Sequence, residues 1–314
     1  MKQGLLLVGV AAIAIVTACL VGRWGQSGTE GGHLGQSAYQ HTAAILAIGP
    51  RPAGSEGLAK VRAYVKGELE KSGWSLKEQT FKRNTLKGEV EFVNVRARFA
   101  KKGTDAWSGS REGILCAHID SKAIPGIEFL GADDAASACA AIVEMARYLA
   151  DKKPEQAEKL ELVFFDGEEG FSDTITTLDG LFGSREYVSL WRGQAEKPRF
   201  GILLDMIGHK NLNILMPSDS PAFLKDHVLA AAAEENAKKH FTAAQTNYAI
   251  TDDHVPLNQV GIPTIDIIGD FSDFNWWHNR DGGKDDLSVI SAESLDISMR
   301  VTLRTLDRLF DKAH

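Results

Sequence analysis

The chain has 314 residues, 44% hydrophobic and 25% charged, which is ordinary for a globular protein and long enough for one large α/β domain or two small ones. A net charge of −7 argues against a nucleic-acid surface. No internal repeat and no long low-complexity tract is present.

Residues 1 to 24 stand apart. Lys2 precedes an uncharged, largely apolar run from Gly4 to Gly22, the pattern of a secretory signal peptide or an N-terminal membrane anchor. Val16-Thr17-Ala18-Cys19 also resembles a bacterial lipoprotein processing site, which offers Cys19 for a lipid, although Leu20, Val21 and Trp24 are more apolar than the usual tether. Either route places the rest of the chain outside the cytoplasm, in the periplasm or secreted, and ties it to a membrane where the leader or lipid is kept. Residues 25 to 37, rich in Gly, Ser and Gln, read as a flexible tether, and the folded domain is expected from 38 to 314. Cys116 and Cys139 lie in that domain, and two readings stand open: a disulfide in an oxidising compartment, or two buried free thiols.

A short helix is expected over residues 37 to 48, broken by Gly49-Pro50-Arg51-Pro52. Ser55 can cap the next helix, whose apolar face is Leu58, Val61, Val65 and Leu69, and Gly73 ends it. Residues 89 to 99 alternate as a strand, 101 to 112 are polar loop, and 113 to 117 form a buried strand that runs into His118-Ile119-Asp120. After a loop over 121 to 130, a helix is expected from Gly131 to about Ala150, with Asp133 and Asp134 at its start, where the helix dipole favours negative charge.

The next stretch organises the chain. Leu160 to Phe165 reads as a strand buried on both faces of a parallel sheet. It ends in Asp166-Gly167-Glu168-Glu169. Neighbouring carboxylates repel unless something positive sits among them, and a divalent metal is the simplest such partner. One Glu can ligate it while the other moves protons. A solvated acidic loop is the plainer reading of this segment taken alone. Further on come a loop over 170 to 182, a helix over 183 to 191 and a strand over 200 to 204 that delivers Asp205. A short strand over 212 to 216 and an Ala-rich helix over 221 to 239 follow, then a loop and short helix from Thr251. A strand over 262 to 268 leads to Trp277-His278. The last helix runs from about 291 to 310, with Leu295, Met299, Leu303, Leu306 and Phe310 on its inner face.

Strands alternate with helices throughout, which predicts a single three-layer αβα domain with a twisted, mostly parallel, mixed central sheet. The polar clusters fall after strands or at helix starts, so they converge on one rim. His118, Asp134, Glu169, Asp205 and His278 share that rim. Imidazole and carboxylate donors without a thiolate suit catalytic zinc, whose sites keep a coordination position open.

His118-x-Asp120, Gly131-Ala-Asp133-Asp134, Asp166-Gly-Glu168-Glu169, Leu204-Asp205-Met-Ile-Gly208 and the late His278 resemble the zinc exopeptidases of metallopeptidase family 28, over roughly residues 40 to 312. Within that family, the residues around Ser121-Lys122, Glu169-x-Phe171, Leu178-Asp179, Asp252-Asp253-His254-x-Pro256 and Trp277-His278 look like glutaminyl cyclases. Aminopeptidases of the family usually carry Ser where Asp252 stands and lack the Trp before the metal His. The resemblance implies one zinc on Asp134, Glu169 and His278, with a second through His118 and Asp205 as the alternative. It implies Glu168 as proton shuttle, Asp205 and Asp252 as a hydrogen-bonded acidic pair, and Trp277 lining the substrate pocket. It implies peptide or protein substrates with a free N-terminus, whether cyclised or, in the aminopeptidase alternative, hydrolysed. A metal-binding module without catalysis is disfavoured, because Glu168 would then have no role. Thr174 stands where animal cyclases carry a Trp. The cysteine equivalent to Cys116 lies one residue closer to the metal-site His in those enzymes, which reverses its side-chain direction in a strand, so their disulfide does not carry over.

Overall fold

The computed structural model describes residues 31–241, 249–272 and 275–311. In chain order the helices are α1 (Gly31–Leu46), α2 (Glu56–Lys71), α3 (Ala138–Lys152), α4 (Pro154–Ala157), α5 (Phe182–Tyr187), α6 (Ala222–Glu234), α7 (His254–Gln259) and α8 (Ala292–Phe310). The strands are β1 (Ser75–Thr85), β2 (Gly88–Arg98), β3 (Gly113–His118), β4 (Leu160–Phe165), β5 (Phe200–Asp205), β6 (Ile214–Leu215) and β7 (Thr264–Gly269).

The seven strands form one mixed sheet in the order β1-β2-β4-β3-β5-β7-β6. The four central strands, β4, β3, β5 and β7, run parallel, while β2, β1 and β6 add antiparallel edges. Every residue of those four strands is buried, as expected where helices cover both faces. Alternation sorts their side chains. Leu115, Ala117, Leu162 and Phe164 join the larger core with α1, α2, α3, α6 and α8. Ile114, Cys116, Val163 and Phe165 join the smaller core with Tyr187, Trp191 and Leu257 on the other face. The fold is the expected three-layer αβα sandwich.

The same alternation settles the cysteines. Cys116 lies in the smaller core and Cys139 in the larger one, on opposite sides of the sheet, and both are free thiols.

Three elements differ from the sequence reading. β1 was not anticipated, because its composition is polar. It is an edge strand with only Phe81 buried, and it pairs along all of β2. α6 stops at Glu234 rather than 239, where Asn236 turns left-handed at φ 57° and ends the helix. α1 starts at Gly31, inside the stretch read as a tether. Leu34 is 6% exposed there and Ala38 is fully buried. A Cβ on Gly35 would meet Ala292 O at 2.1 Å, so this glycine serves a close helix approach to α8 rather than flexibility. The leader, Cys19 and residues 25 to 30 lie outside the described residues. Among the described residues no helix is long and apolar enough to cross a membrane.

Candidate metal centre and active site

The parallel strands end together, and each hands on a polar residue. His118 closes β3, Asp166 to Glu169 follow β4, Asp205 closes β5, and Trp277-His278 follow β7 by eight residues. Asp134 enters from the irregular π-turn Ala132–Ser137 that opens α3, where it has φ −103° and ψ 84°. That backbone departs from the regular helix expected from Gly131 and turns the Asp134 carboxylate toward the rim. Asp252 arrives from the loop before α7.

Two groups of possible ligands meet at Asp134, each with donor atoms within 4.8 Å of one another: Asp134, Glu169 and His278, and His118, Asp134 and Asp205; a third, Asp252, His254 and Asp266, does not include Asp134. His278 Nε2 lies 3.0 Å from Glu169 Oε1 and 3.4 Å from Asp134 Oδ2. His118 Nε2 lies 3.1 Å from Asp134 Oδ1 and 3.4 Å from Asp205 Oδ1, near enough for charge, yet neither ring nitrogen has a hydrogen-bond partner. Burial alone would lower both imidazoles. The carboxylates around them prevail, holding His118 well above its usual range and His278 at about 9. Burial also works against charge on Asp134, but the two imidazoles keep it below the usual carboxylate range. A site that holds this much negative charge, with orphaned buried nitrogens at its centre, fits a divalent cation by its donor set.

Glu168 is 7% exposed and belongs to neither group. Burial pushes its carboxyl well above the usual range against the pull of His118, and Glu169 and Asp252 push the same way. Asp205 is raised by burial to about 6. Asp252 is raised by burial, and then by the charge of Asp205, to about 7. Asp252 Oδ1 accepts from Asp253 N at 2.5 Å, its Oδ2 has no partner, and neither has Asp205 Oδ1. Asp205 and Asp252 thus act on one another through charge.

Several supporting residues carried no role in the sequence reading. Asp120 is fully buried, and its carboxylate accepts from the backbone N–H groups of Gly167 at 3.0 Å, Glu168 at 3.2 Å and Glu169 at 3.3 Å. It fixes the acidic turn. Asp285 does the same for the turn that carries Asp134, accepting from Asp133 N at 2.8 Å and Asp134 N at 3.1 Å. Lys122 Nζ donates to Glu169 Oε2 at 3.0 Å and to Gly170 O at 3.3 Å. Arg51, fully buried, donates to Ile119 O, Leu130 O and Gly131 O and so ties together the loops behind His118 and Asp134. The spacing His118-x-Asp120 was the available signal for Asp120. Nothing local marks Asp285, which meets Asp134 across 151 positions of sequence.

A cavity of about 350 Å³ opens over the centre, walled by Ile175, Met206, Ile250, Ile268, Phe271 and Trp277, with Glu168, Glu169, Asp205 and Asp252 in its lining. The Trp277 ring stacks on His278 at 4.2 Å, and its Nε1–H donates to Asp134 Oδ2 at 3.1 Å. The indole thus touches two members of one ligand group and forms pocket wall at once. Thr174 also lines the cavity.

Residues 94–306 match the family model described as peptidase family M28. The glutaminyl-peptide cyclotransferase of Drosophila melanogaster is 26% identical over 286 residues, which cover 80% of this chain and 76% of that protein. A glutaminyl cyclase from an Acidobacteriales bacterium superposes with a TM-score of 0.76 at 30% identity, covering 89% of this chain and 95% of that one. A Zn-dependent exopeptidase from Parabacteroides distasonis superposes with a TM-score of 0.75 at 26% identity, covering 87% and 97%. With acidic and imidazole side chains gathered at its strand ends and these relatives along most of its length, the chain is an enzyme that belongs to peptidase family M28 and is glutaminyl cyclase-like within it.

Proposed function

We propose that the chain is a zinc-dependent glutaminyl-peptide cyclotransferase, which converts the N-terminal Gln of a peptide to pyroglutamate and releases ammonia. One zinc would be held by Asp134, Glu169 and His278, and it would supply a Lewis acid that polarises the γ-carboxamide carbonyl. Glu168, outside the ligand group, takes a proton from the α-amine as that nitrogen attacks the γ-carbon. It returns the proton to the amide nitrogen as the C–N bond breaks and ammonia leaves. Asp205 and Asp252 lie beside this path with raised proton affinity, ready to hold the departing nitrogen. The attacking amine and the carbonyl belong to one molecule, so orientation replaces a bimolecular encounter.

The observation that carries this reading is Trp277. Stacked on His278 and hydrogen-bonded to Asp134, it walls the ligand group with an apolar surface that limits entry of water. That favours internal attack over hydrolysis.

One observation favours a second reading. The two ligand groups share Asp134, as a carboxylate bridging two metals would. A two-metal aminopeptidase could use the same residues, with Glu168 as the base for water.

Substrates on either reading are peptides or proteins with a free N-terminus. We also propose an extracytoplasmic site of action, periplasmic or secreted, with attachment to a membrane through the leader or a lipid on Cys19. The support for it is the apolar run from Gly4 to Gly22.

Mass spectrometry of a Gln-initiated peptide incubated with the purified protein, together with metal analysis, tests the assignment. The expected product has lost ammonia, at about one zinc per chain. Removal of N-terminal Leu from a Leu-initiated peptide by a protein with two tightly bound metals would replace the cyclase reading with the aminopeptidase one.

A further inference from the structure

A lysine and an arginine line the cavity, and they are used differently. Lys122 is committed, since its Nζ sits 3.0 Å from Glu169. Arg280 is not. Its guanidinium carbon lies over the Trp277 ring, 3.9 Å from the ring centre, and among the described residues no carboxylate is ion-paired with it. It is exposed, at the wall of a cavity whose other charged lining residues, Lys122 and His278 apart, are acidic. Asp173, on the opposing loop, is the exposed carboxylate of that lining, and it does not pair with Arg280.

The cavity is therefore polarised. Glu168, Glu169, Asp205 and Asp252 make an acidic floor, which suits an N-terminal amine. The wall nearer solvent presents a planar cation whose aromatic backing holds its orientation and leaves its N–H edges open. With 4.2 Å from His278 to Trp277 and 3.9 Å from Trp277 to Arg280, the guanidinium lies within about 8 Å of the metal-group imidazole. An extended peptide advances roughly 3.3–3.6 Å per residue. A substrate with its first residue over the floor thus carries its second or third residue past Arg280.

We propose that Arg280 is a specificity-determining residue that selects substrates bearing a carboxylate one or two residues beyond the N-terminal residue. That carboxylate is either an Asp or Glu side chain or the free C-terminus of a very short peptide. Both present the same planar group, to which the guanidinium edge can donate two parallel hydrogen bonds. The complementarity is to a chain that is positive at its start and negative soon after. The inference rests on the proposed placement of the substrate amine over the acidic floor, and it holds whether the first residue is cyclised or removed.

The test compares kcat/KM for four Gln-initiated peptides at low ionic strength, by ammonia release and by mass spectrometry. Gln-Glu-Ala amide is set against Gln-Lys-Ala amide, and Gln-Ala with a free carboxylate against Gln-Ala amide. The wild type, Arg280→Met, which keeps an apolar stem over Trp277, and Arg280→Glu are compared. A structural role for Arg280 would lower all rates together and leave the ratios unchanged. Under the proposal, the wild type prefers the acidic partner, and Arg280→Met lowers that preference about tenfold, the effect of losing one charge-assisted pair. Arg280→Glu inverts it. A change confined to the first pair of peptides assigns the carboxylate to a side chain, and one confined to the second pair assigns it to the terminus of short peptides. Ratios that stay the same in both variants overturn the proposal. Failure of the cyclase reading shows separately, as absence of ammonia from every peptide, and the same ratios are then read from release of the first residue.

Discussion

The turn after β4 and the segment after β7 each deliver one member of the ligand group Asp134, Glu169 and His278, and they are held by opposite means. Around Glu169 three consecutive backbone N–H groups point at one carboxylate, that of Asp120. Asp166, which begins the turn, accepts from Val93 N at 2.7 Å and pairs with Arg62 at 3.1 Å. Gly167 turns at φ 74°, and a Cβ there would lie 2.4 Å from the Phe92 ring, so the turn is also pressed against the sheet. Around His278 the backbone carries its own strain. His278, Asn279 and Asp281 all adopt φ between 50° and 54° without a glycine among them. Side chains restrain them from both ends, Asn279 Oδ1 accepting from Asp285 N at 2.7 Å and His278 Nε2 meeting Glu169 Oε1 at 3.0 Å. On the proposed reading the first wall carries the proton chemistry, and it is fixed by charge-assisted hydrogen bonds. The second carries Trp277 and Arg280, the groups proposed to meet substrate, on backbone held against its preference. Rigidity lies where a proton must move over a set distance, and adaptability where peptides of different sequence pass.

The largest expected effect lies on the fixed wall. Glu168→Gln keeps shape and hydrogen-bonding capacity and removes the titrating group. Turnover should fall by about 10²- to 10⁴-fold. Metal content, measured by elemental analysis, should not change, since Glu168 lies outside both ligand groups. Turnover within a factor of a few of the wild type would move the proton chemistry to another residue. Next comes Asp120→Ala, which releases three N–H groups at once. Groups that orient metal ligands are worth roughly 10- to 100-fold in metal affinity or activity. Asp120→Asn, which can still accept, should fall between. If Asp120→Ala binds metal and turns over like the wild type, the turn is held by packing against Phe92, and the contrast between the walls is wrong.

The first wall was legible in sequence, and the second largely was not. Four apolar runs, each ending in an acidic residue or a histidine, announced parallel strands and a rim, because burial on both faces leaves no room for polar alternation. Asp166 to Glu169 are contiguous, so their proximity needs no fold to be seen. Asp285 and Asn279 act on Asp134 through contacts that only the tertiary structure creates. The left-handed residues 278, 279 and 281 carry no glycine to signal them. β1 was missed for a related reason, since a polar edge strand has almost no buried face to imprint a pattern. The glycines near residue 35 misled in the other direction. Composition cannot separate a glycine that loosens a chain from one that lets two helices touch.

On the second wall the expected effects are smaller. Trp277→Phe keeps an aromatic surface but loses the N–H that donates to Asp134. A hydrogen bond to a charged group is worth about 1.5–3 kcal/mol, so a loss of roughly tenfold in kcat/KM is expected. Water gains a path over the same edge, and any hydrolysis of the first peptide bond should rise relative to the wild type. Unchanged kinetics would leave Trp277 as pocket wall alone.

The smallest expected effect decides whether the second wall is independent of the first. Asn279→Gly relieves the left-handed strain at φ 52°, since glycine adopts that conformation freely. It also removes the oxygen that accepts from Asp285 N and gives the unfolded chain more freedom. The lost hydrogen bond costs about 0.5–1.5 kcal/mol, and the relief of strain offsets part of it. For a domain of this size each 1 kcal/mol moves the melting temperature by roughly 2–4 °C, so calorimetry should show a fall of no more than about 4 °C. The kinetic signature should be a rise in KM with kcat nearly kept, because the loosened segment presents Trp277 and Arg280 to substrate while Glu168 stays fixed by Asp120. A large fall in kcat would mean that Asn279, through Asp285 and its hold on Asp134, reaches the chemistry as directly as Asp120 does. The two walls would then be one rigid unit, and the division of labour between them would not stand.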